Sequence, residues 1–143
     1  MFIGEYQHST DEKGRLAIPA KFRATLGERA VITRGLDHCL FLFSGSDWEE
    51  LAKKIAAMPL TDTNARGFGR LMLAGAMEVD LDTQGRILLP DYLRTYAGIA
   101  KQTVVAGLYN RIELWNEDAC QAYKAKTESD SDEIAEKLSE LGI

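Results

Sequence analysis

A thirteen-residue phrase occurs twice in this chain, 71 positions apart. The first copy is Asp11-Glu12-Lys13-Gly14-Arg15, followed by Pro19 and Arg23. The second is Asp82-Thr83-Gln84-Gly85-Arg86, followed by Pro90 and Arg94. An internal repeat at fixed offset means one structural unit built twice. The likeness extends beyond the phrase: Ile32-Thr33-Arg34-Gly35-Leu36 precedes the apolar run Leu40–Phe43, and Val104-Val105-Ala106-Gly107-Leu108 precedes Ile112–Trp115, now at an offset of 72. Each copy alone is too small to bury a sizeable core. The two must therefore interlock, which predicts an intrachain pseudo-dimer.

The phrase reads as a β-hairpin leading into a short helix. Glu5–Thr10 has strand character, and Asp-x-x-Gly makes the turn. The aspartate carboxylate accepts from backbone two residues on, and glycine takes the positive φ of a type I turn with a bulge. Arg15–Ile18 is the return strand, with Leu16 and Ile18 facing inward. Pro19 ends the strand and starts a helix carrying Phe22 and Leu26, which Gly27 closes. Glu78–Leu81, Asp82–Gly85, Ile87–Leu89, Pro90 and Gly98 repeat those steps. A strand pair follows each helix: Ala30–Thr33 with Cys39–Phe43, then Thr103–Ala106 with Arg111–Trp115. Between the copies lies a helical insert. Ser46-Asp47-Trp48-Glu49 has capping-box spacing, and a second helix is expected over Thr61–Gly75. Further helices are expected over Glu117–Thr127 and Ser131–Leu141. The fold class is α+β. The divisions are residues 5–47 for the first repeat, 48–75 for the insert, 76–119 for the second repeat, and 120–143 for a carboxyl-terminal helix and acidic tail.

Several function classes are disfavoured. The two histidines, His8 and His38, have neither metal-ligand spacing nor a nucleophile partner. No Walker or dinucleotide glycine loop occurs, and Gly67-x-Gly69 is too short to count. The chain is not expected to be an enzyme, and no cofactor, metal or small-molecule substrate is called for. No apolar run has transmembrane length and the amino terminus lacks signal-peptide character, so a cytoplasmic protein without a membrane partner is expected. Cys39 and Cys120 read as buried free thiols. The net charge of −5 is unevenly spread. Residues 116–143 account for all of it, while residues 1–35 carry a surplus of two cations, which permits a local anion-binding face.

From spacing alone, Arg15 and Arg86 fit two roles. Each lies four positions after an aspartate and can form a surface ion pair, or can present its planar fork to phosphate or guanine. Arg23 and Arg94 read as solvated or ion-paired helix residues. The paired Asp-x-x-Gly-Arg motifs, the opening Met1-Phe2-Ile3-Gly4-Glu5-Tyr6-Gln7-His8 and Asn110–Trp115 resemble the MraZ family, bacterial relatives of the AbrB and SpoVT regulators, over roughly residues 1–120. The tail from about Glu128 lies outside that resemblance.

The resemblance implies a swapped-hairpin β-barrel made of two AbrB-like halves in one chain. It further implies assembly into a homo-oligomeric ring, and binding to double-stranded DNA at tandem promoter repeats of the division and cell-wall gene cluster, including the protein's own gene. The usual role is repression, in a cytoplasmic, nucleoid-associated protein. The family hallmark maps to Asp11 with Arg15 and Asp82 with Arg86, and the turns to Gly14 and Gly85. DNA contact is assigned to Arg15, Lys13 and Arg86. Lys13, Ala20 and Lys21 of the first copy are replaced by Gln84, Asp91 and Tyr92 in the second, so the first hairpin is expected to supply most of the attraction. The alternative is a ring-forming protein-interaction scaffold without DNA affinity.

Overall fold

The computed structural model describes residues 1–143 as an α+β fold whose strand pairs are all antiparallel. The strands are β1 (Phe2–Ser9), β2 (Arg15–Ala17), β3 (Arg29–Arg34), β4 (Leu40–Ser44), β5 (Met77–Asp80), β6 (Arg86–Leu88), β7 (Gln102–Tyr109) and β8 (Ile112–Asn116). Six form one sheet in the order β1-β7-β8-β4-β3-β5, and β2 pairs with β6 as a separate two-stranded ribbon.

This pairing exchanges strands between the repeats. β1 of the first repeat pairs with β7 of the second, and β5 of the second pairs with β3 of the first. In the ribbon, Leu16 lies opposite Ile87, its own counterpart in the repeat. In the main sheet, Phe41 lies opposite Glu113, again its counterpart. A pseudo-twofold axis therefore passes through both places. The expected hairpin within each phrase survives only at its tip. In the first copy a single bridge joins Thr10 to Leu16, and the Asp11 N–H donates to the Arg15 carbonyl at 3.0 Å. Beyond that the strands part. The Ile18 N–H donates to the Gly85 carbonyl at 2.9 Å, and the Leu89 N–H donates to the Gly14 carbonyl at 2.8 Å. Each turn is thus bonded to the other repeat's strand. The exchange satisfies backbone groups that a short hairpin would leave open.

One core lies between the halves. Leu16 and Ile87 point into it from the ribbon, with Phe22, Leu26, Leu93, Ile32, Leu42, Val105, Ile112 and Leu114. Phe22 receives the rings of Phe2 and Tyr6 edge-on at centroid distances of 5.5 and 5.4 Å. The short helices α1 (Ala20–Leu26) and, in the second repeat, Asp91–Ala97 supply equivalent residues, each following a proline in extended conformation.

The insert forms a second apolar layer. α2 (Gly45–Ala56) is capped by Ser44, whose hydroxyl accepts from the Asp47 N–H at 3.3 Å and donates to Asp47 Oδ2 at 3.0 Å. The cap thus falls two residues before the expected Ser46, because β4 runs on through Ser44. α3 (Thr63–Gly69) starts at the Asp62 cap and continues into a π-helical turn, Arg70–Ala74. The Met72 carbonyl in that turn accepts from the Thr33 hydroxyl at 2.7 Å, and the Met72 side chain is buried with Phe41, Phe43, Ile55 and Trp115. The helix of the second repeat (Asp91–Ala97) is α4. Its Tyr92 hydroxyl donates to the Gly75 carbonyl, and its Tyr96 hydroxyl to the Gly35 carbonyl. The Arg34 guanidinium lies against both rings. α5 (Glu117–Ser129) is capped by Asn116 and tied to β1 by Lys124 Nζ donating to Glu5 Oε2 at 2.9 Å. α6 (Ser131–Leu138) and a 3-10 turn over Ser139–Leu141 bury no residue.

Cys39 and Cys120 are both buried and free. Burial pushes both thiols up from their ordinary values, Cys39 far enough that no thiolate forms near neutrality. Both are expected to resist a thiol-reactive chromophore in the native protein and to react promptly in urea. Rapid native reaction of either would contradict the packing. A second test concerns the turns. Gly14 and Gly27 both have positive φ, but a Cβ on Gly27 meets open space whereas one on Gly14 would lie 2.9 Å from the backbone carbonyl oxygen of Leu89. Gly27→Ala should therefore cost roughly 1–3 kcal/mol from backbone conformation alone. Gly14→Ala should cost about 1–3 kcal/mol more, read as the difference between their urea unfolding curves.

Candidate nucleic-acid interface

The ribbon is three residues long on each strand, and alternation decides what it displays. Leu16 and Ile87 face the core, so Arg15, Ala17, Arg86 and Leu88 face outward. The register puts Arg15 opposite Leu88 and Ala17 opposite Arg86. The flanking bonds at Ile18–Gly85 and Leu89–Gly14 make these the closely approaching, non-hydrogen-bonded pairs of the ladder. Arg15 and Arg86 are thus diagonal neighbours across the pseudo-axis, with Cβ atoms somewhat less than about 7–8 Å apart by general sheet geometry.

Both turns are built alike. Asp11 Oδ1 accepts from the N–H groups of Lys13 at 3.0 Å and Arg15 at 2.8 Å. Its other oxygen accepts from Arg15 Nε at 2.7 Å. Asp82 repeats this with the N–H groups of Gln84 at 2.8 Å and Arg86 at 2.9 Å, and with Arg86 Nε at 3.0 Å. One carboxylate oxygen therefore shapes the turn and the other aims the arginine. Only Nε is engaged, and no hydrogen bond within the chain takes up the terminal Nη groups of either guanidinium fork. Their side chains are 38% and 29% exposed, respectively. Ion pairing and anion recognition, alternatives from spacing alone, are compatible in this geometry: the aspartate holds one edge of the fork and leaves the other open.

Arg23 and Arg94 have a role that reading along the chain missed. Arg23 packs on Gly85 and its Nε donates to the Ile18 carbonyl at 2.8 Å. Arg94 packs on Gly14, where an added Cβ would lie 3.0 Å from its guanidinium carbon and 2.9 Å from the Leu89 carbonyl. Each arginine thus braces the turn of the opposite repeat. Arg94 bonds Asp91 on its own helix, and its buried Nε has no hydrogen-bond partner. The available signal was their position: both sit four residues after the repeated proline, at the same 71-residue offset. A solvated residue would not need that constancy.

The interlock also redistributes the cations. Lys13, Gly14 and Arg15 share one end of the ribbon with Leu88 and α4. Gln84, Gly85 and Arg86 share the other with Ala17 and α1, which carries exposed Lys21. Lys13 and Lys21, neighbours in the first phrase, therefore serve opposite ends. The exposed lysines of the first phrase are thus divided between the two ends of the ribbon, and α6 buries no residue.

Backbone N–H groups of Arg15 and Arg86, followed by their guanidinium groups, hold the Asp11 and Asp82 carboxyls below the ordinary aspartate range. A carboxyl that ionises more readily in the folded chain adds stability above the unfolded value of about 3.9, and that stability is lost as pH falls through the folded values. The urea midpoint should therefore drop below pH ~4. Asp11→Asn combined with Asp82→Asn keeps an acceptor for the turn. It should lower the midpoint at neutral pH and flatten the acid limb. An unchanged acid limb would show that these carboxylates do not carry the pH dependence.

No helix is long and apolar enough to cross a membrane. The family model described as "MraZ protein, putative antitoxin-like" matches twice, over residues 1–71 and 72–141, so the tail from Glu128 falls within the family pattern after all. A protein named transcriptional regulator MraZ from Halothermothrix orenii is 49% identical over 143 residues, covering all of both chains. Its namesake from Acetivibrio thermocellus is 47% identical over the same span, again covering all of both chains. The namesake from Carboxydothermus hydrogenoformans is 47% identical over 138 residues, 96% of each chain. With both halves matched and relatives aligned from end to end, this chain belongs to the MraZ family.

Proposed function

We propose that this protein is a sequence-specific DNA-binding transcriptional regulator and that the outer face of the β2–β6 ribbon is its DNA-contacting surface. The observation that carries the reading is the pair of arginines on that face, each fixed through Nε by its own aspartate with its Nη groups free of hydrogen bonds within the chain. A two-stranded ribbon fits the major groove of B-DNA, and a guanidinium fork matches guanine O6 and N7 or a phosphate. Lys13 and Lys21 suit phosphate as point charges. The roles assigned to Arg15, Arg86 and Lys13 are part of this proposal, with Arg86 given equal weight to Arg15.

The family and the relatives' names support a regulatory role. The reciprocal exchange of β1 and β5 supports the swapped-hairpin, AbrB-like reading of the fold. We carry over from the resemblance a homo-oligomeric ring, tandem sites upstream of the division and cell-wall genes including its own, repression, and a cytoplasmic, nucleoid-associated location. A ring fits the charge balance. One ribbon offers few cations to a chain of net charge −5, and repetition on tandem sites adds affinity through effective concentration.

The test is binding to the duplex upstream of the protein's own gene, measured against salt. Arg15→Ala and Arg86→Ala should each weaken binding at least tenfold and each reduce the slope of log affinity against log salt by about one. The folded state should be retained. Parental binding by both variants would remove the ribbon from the contact surface. Failure of the parent to bind any duplex would favour the scaffold reading.

A further inference from the structure

The ribbon's outer face is nearly symmetric about the pseudo-axis, and the departure from symmetry is specific. Arg15 and Arg86 are equivalent. Ala17 and Leu88 occupy equivalent positions but differ in size and character. Leu88 is 57% exposed. It lies between neighbours Ile87 and Leu89, which are both buried at 1% exposure, so alternation forces its side chain outward. It pairs directly with Arg15 across the ladder, at the end that also carries Lys13. Leu88 is thus a large, mostly exposed apolar side chain on a face whose other prominent groups are cations.

Resting on the reading of this face as a DNA-binding surface, we propose that Leu88 is a specificity-determining residue that packs on the 5-methyl group of a thymine in the major groove. The chemistry points to that group. Among base edges in the major groove, the thymine methyl is the one methyl group and the most prominent apolar feature, and the main recognition groups beside it are hydrogen-bond donors and acceptors. A leucine desolvated against such groups would leave them unpaired. Its cross-strand neighbour Arg15 then falls beside that thymine, on a guanine edge or the adjoining phosphate. Ala17, the equivalent position beside Arg86, is too short to make the same contact. The ribbon therefore has a direction: Leu88 and Lys13 mark one end, Ala17 and Lys21 the other. A pseudo-symmetric ribbon would accept a short site in either orientation, whereas this one distinguishes the two.

The experiment uses the full-length protein and a duplex enriched by it from a random-sequence library. Each thymine of the enriched site is replaced in turn by uracil, which removes only the methyl group. For the parent, one thymine within each ribbon footprint should matter, with binding weakened about three- to fivefold, the worth of one buried methyl. Leu88→Ala should bind the unmodified site more weakly and be indifferent to that uracil, while its affinity for random duplex and its salt slope stay at parental values. Leu88→Met, which restores a long apolar side chain, should recover the methyl dependence. The inference is overturned if the parent binds its site with no methyl dependence at any thymine, or if Leu88→Ala retains the parental dependence. If the parent enriches no sequence and binds no duplex, the DNA reading itself fails, and this inference fails with it. That result differs from sequence-selective binding without methyl dependence.

Discussion

Two backbone hydrogen bonds hold this architecture in place: Ile18 to the Gly85 carbonyl and Leu89 to the Gly14 carbonyl. They tie each turn to the other repeat, and the arrangement of the ribbon is a geometric consequence. Once the turns are cross-bonded, β2 and β6 must pair around Leu16 and Ile87. Those two residues then seal the shared core, and their neighbours Arg15 and Arg86 come to one outer face. Neither half could achieve this alone. A short hairpin closed on itself would bury little and would direct its arginine away from the other copy's.

The same interlock explains why the repeated residues recur as a set. The aspartate shapes the turn and restrains the arginine. The glycine permits positive φ and also admits the bracing arginine of the opposite repeat. The proline ends the strand where α1 or α4 must depart. Five residues in each copy thus serve one purpose, which is to fix a guanidinium fork in space. A restrained fork loses less conformational freedom on binding than a free one, which is how a chain of overall negative charge can devote a small surface to an anionic partner.

Much of this was legible in the sequence. The turn chemistry of Asp11–Gly14, the helices after Pro19 and Pro90, and the need for two copies to complete one core all derive from local rules. Strand partnership did not. The alternation of Arg15–Ile18 fits pairing with the strand before the turn as well as pairing with β6, because a period of two specifies which face is buried and not which neighbour buries it. The misplaced cap has a similar cause. Ser44 and Ser46 both have an acid three residues on, and the end of β4 decides between them. Arg23 and Arg94 read as solvated or ion-paired helix residues, and Arg94 does pair with Asp91, but their packing on the turn glycines of the opposite repeat arises only through the exchange. Leu88 looked like an ordinary strand residue until its exposure was known.

Every feature of the proposed interface depends on the exchange of strands, and backbone proton contacts in solution test that exchange most directly. The interlocked fold predicts strong Hα–Hα nuclear Overhauser effects between Ala17 and Arg86 and between Arg15 and Leu88, the two close pairs of the ribbon. It predicts no strong contact between Ile18 and His8, the next close pair a local hairpin would form beyond Thr10–Leu16. A strong Ile18–His8 contact, with the cross-repeat pairs absent, would mean that each phrase closes on itself as a local hairpin. Arg15 and Arg86 would then not share a face, and the two-arginine DNA interface would not exist.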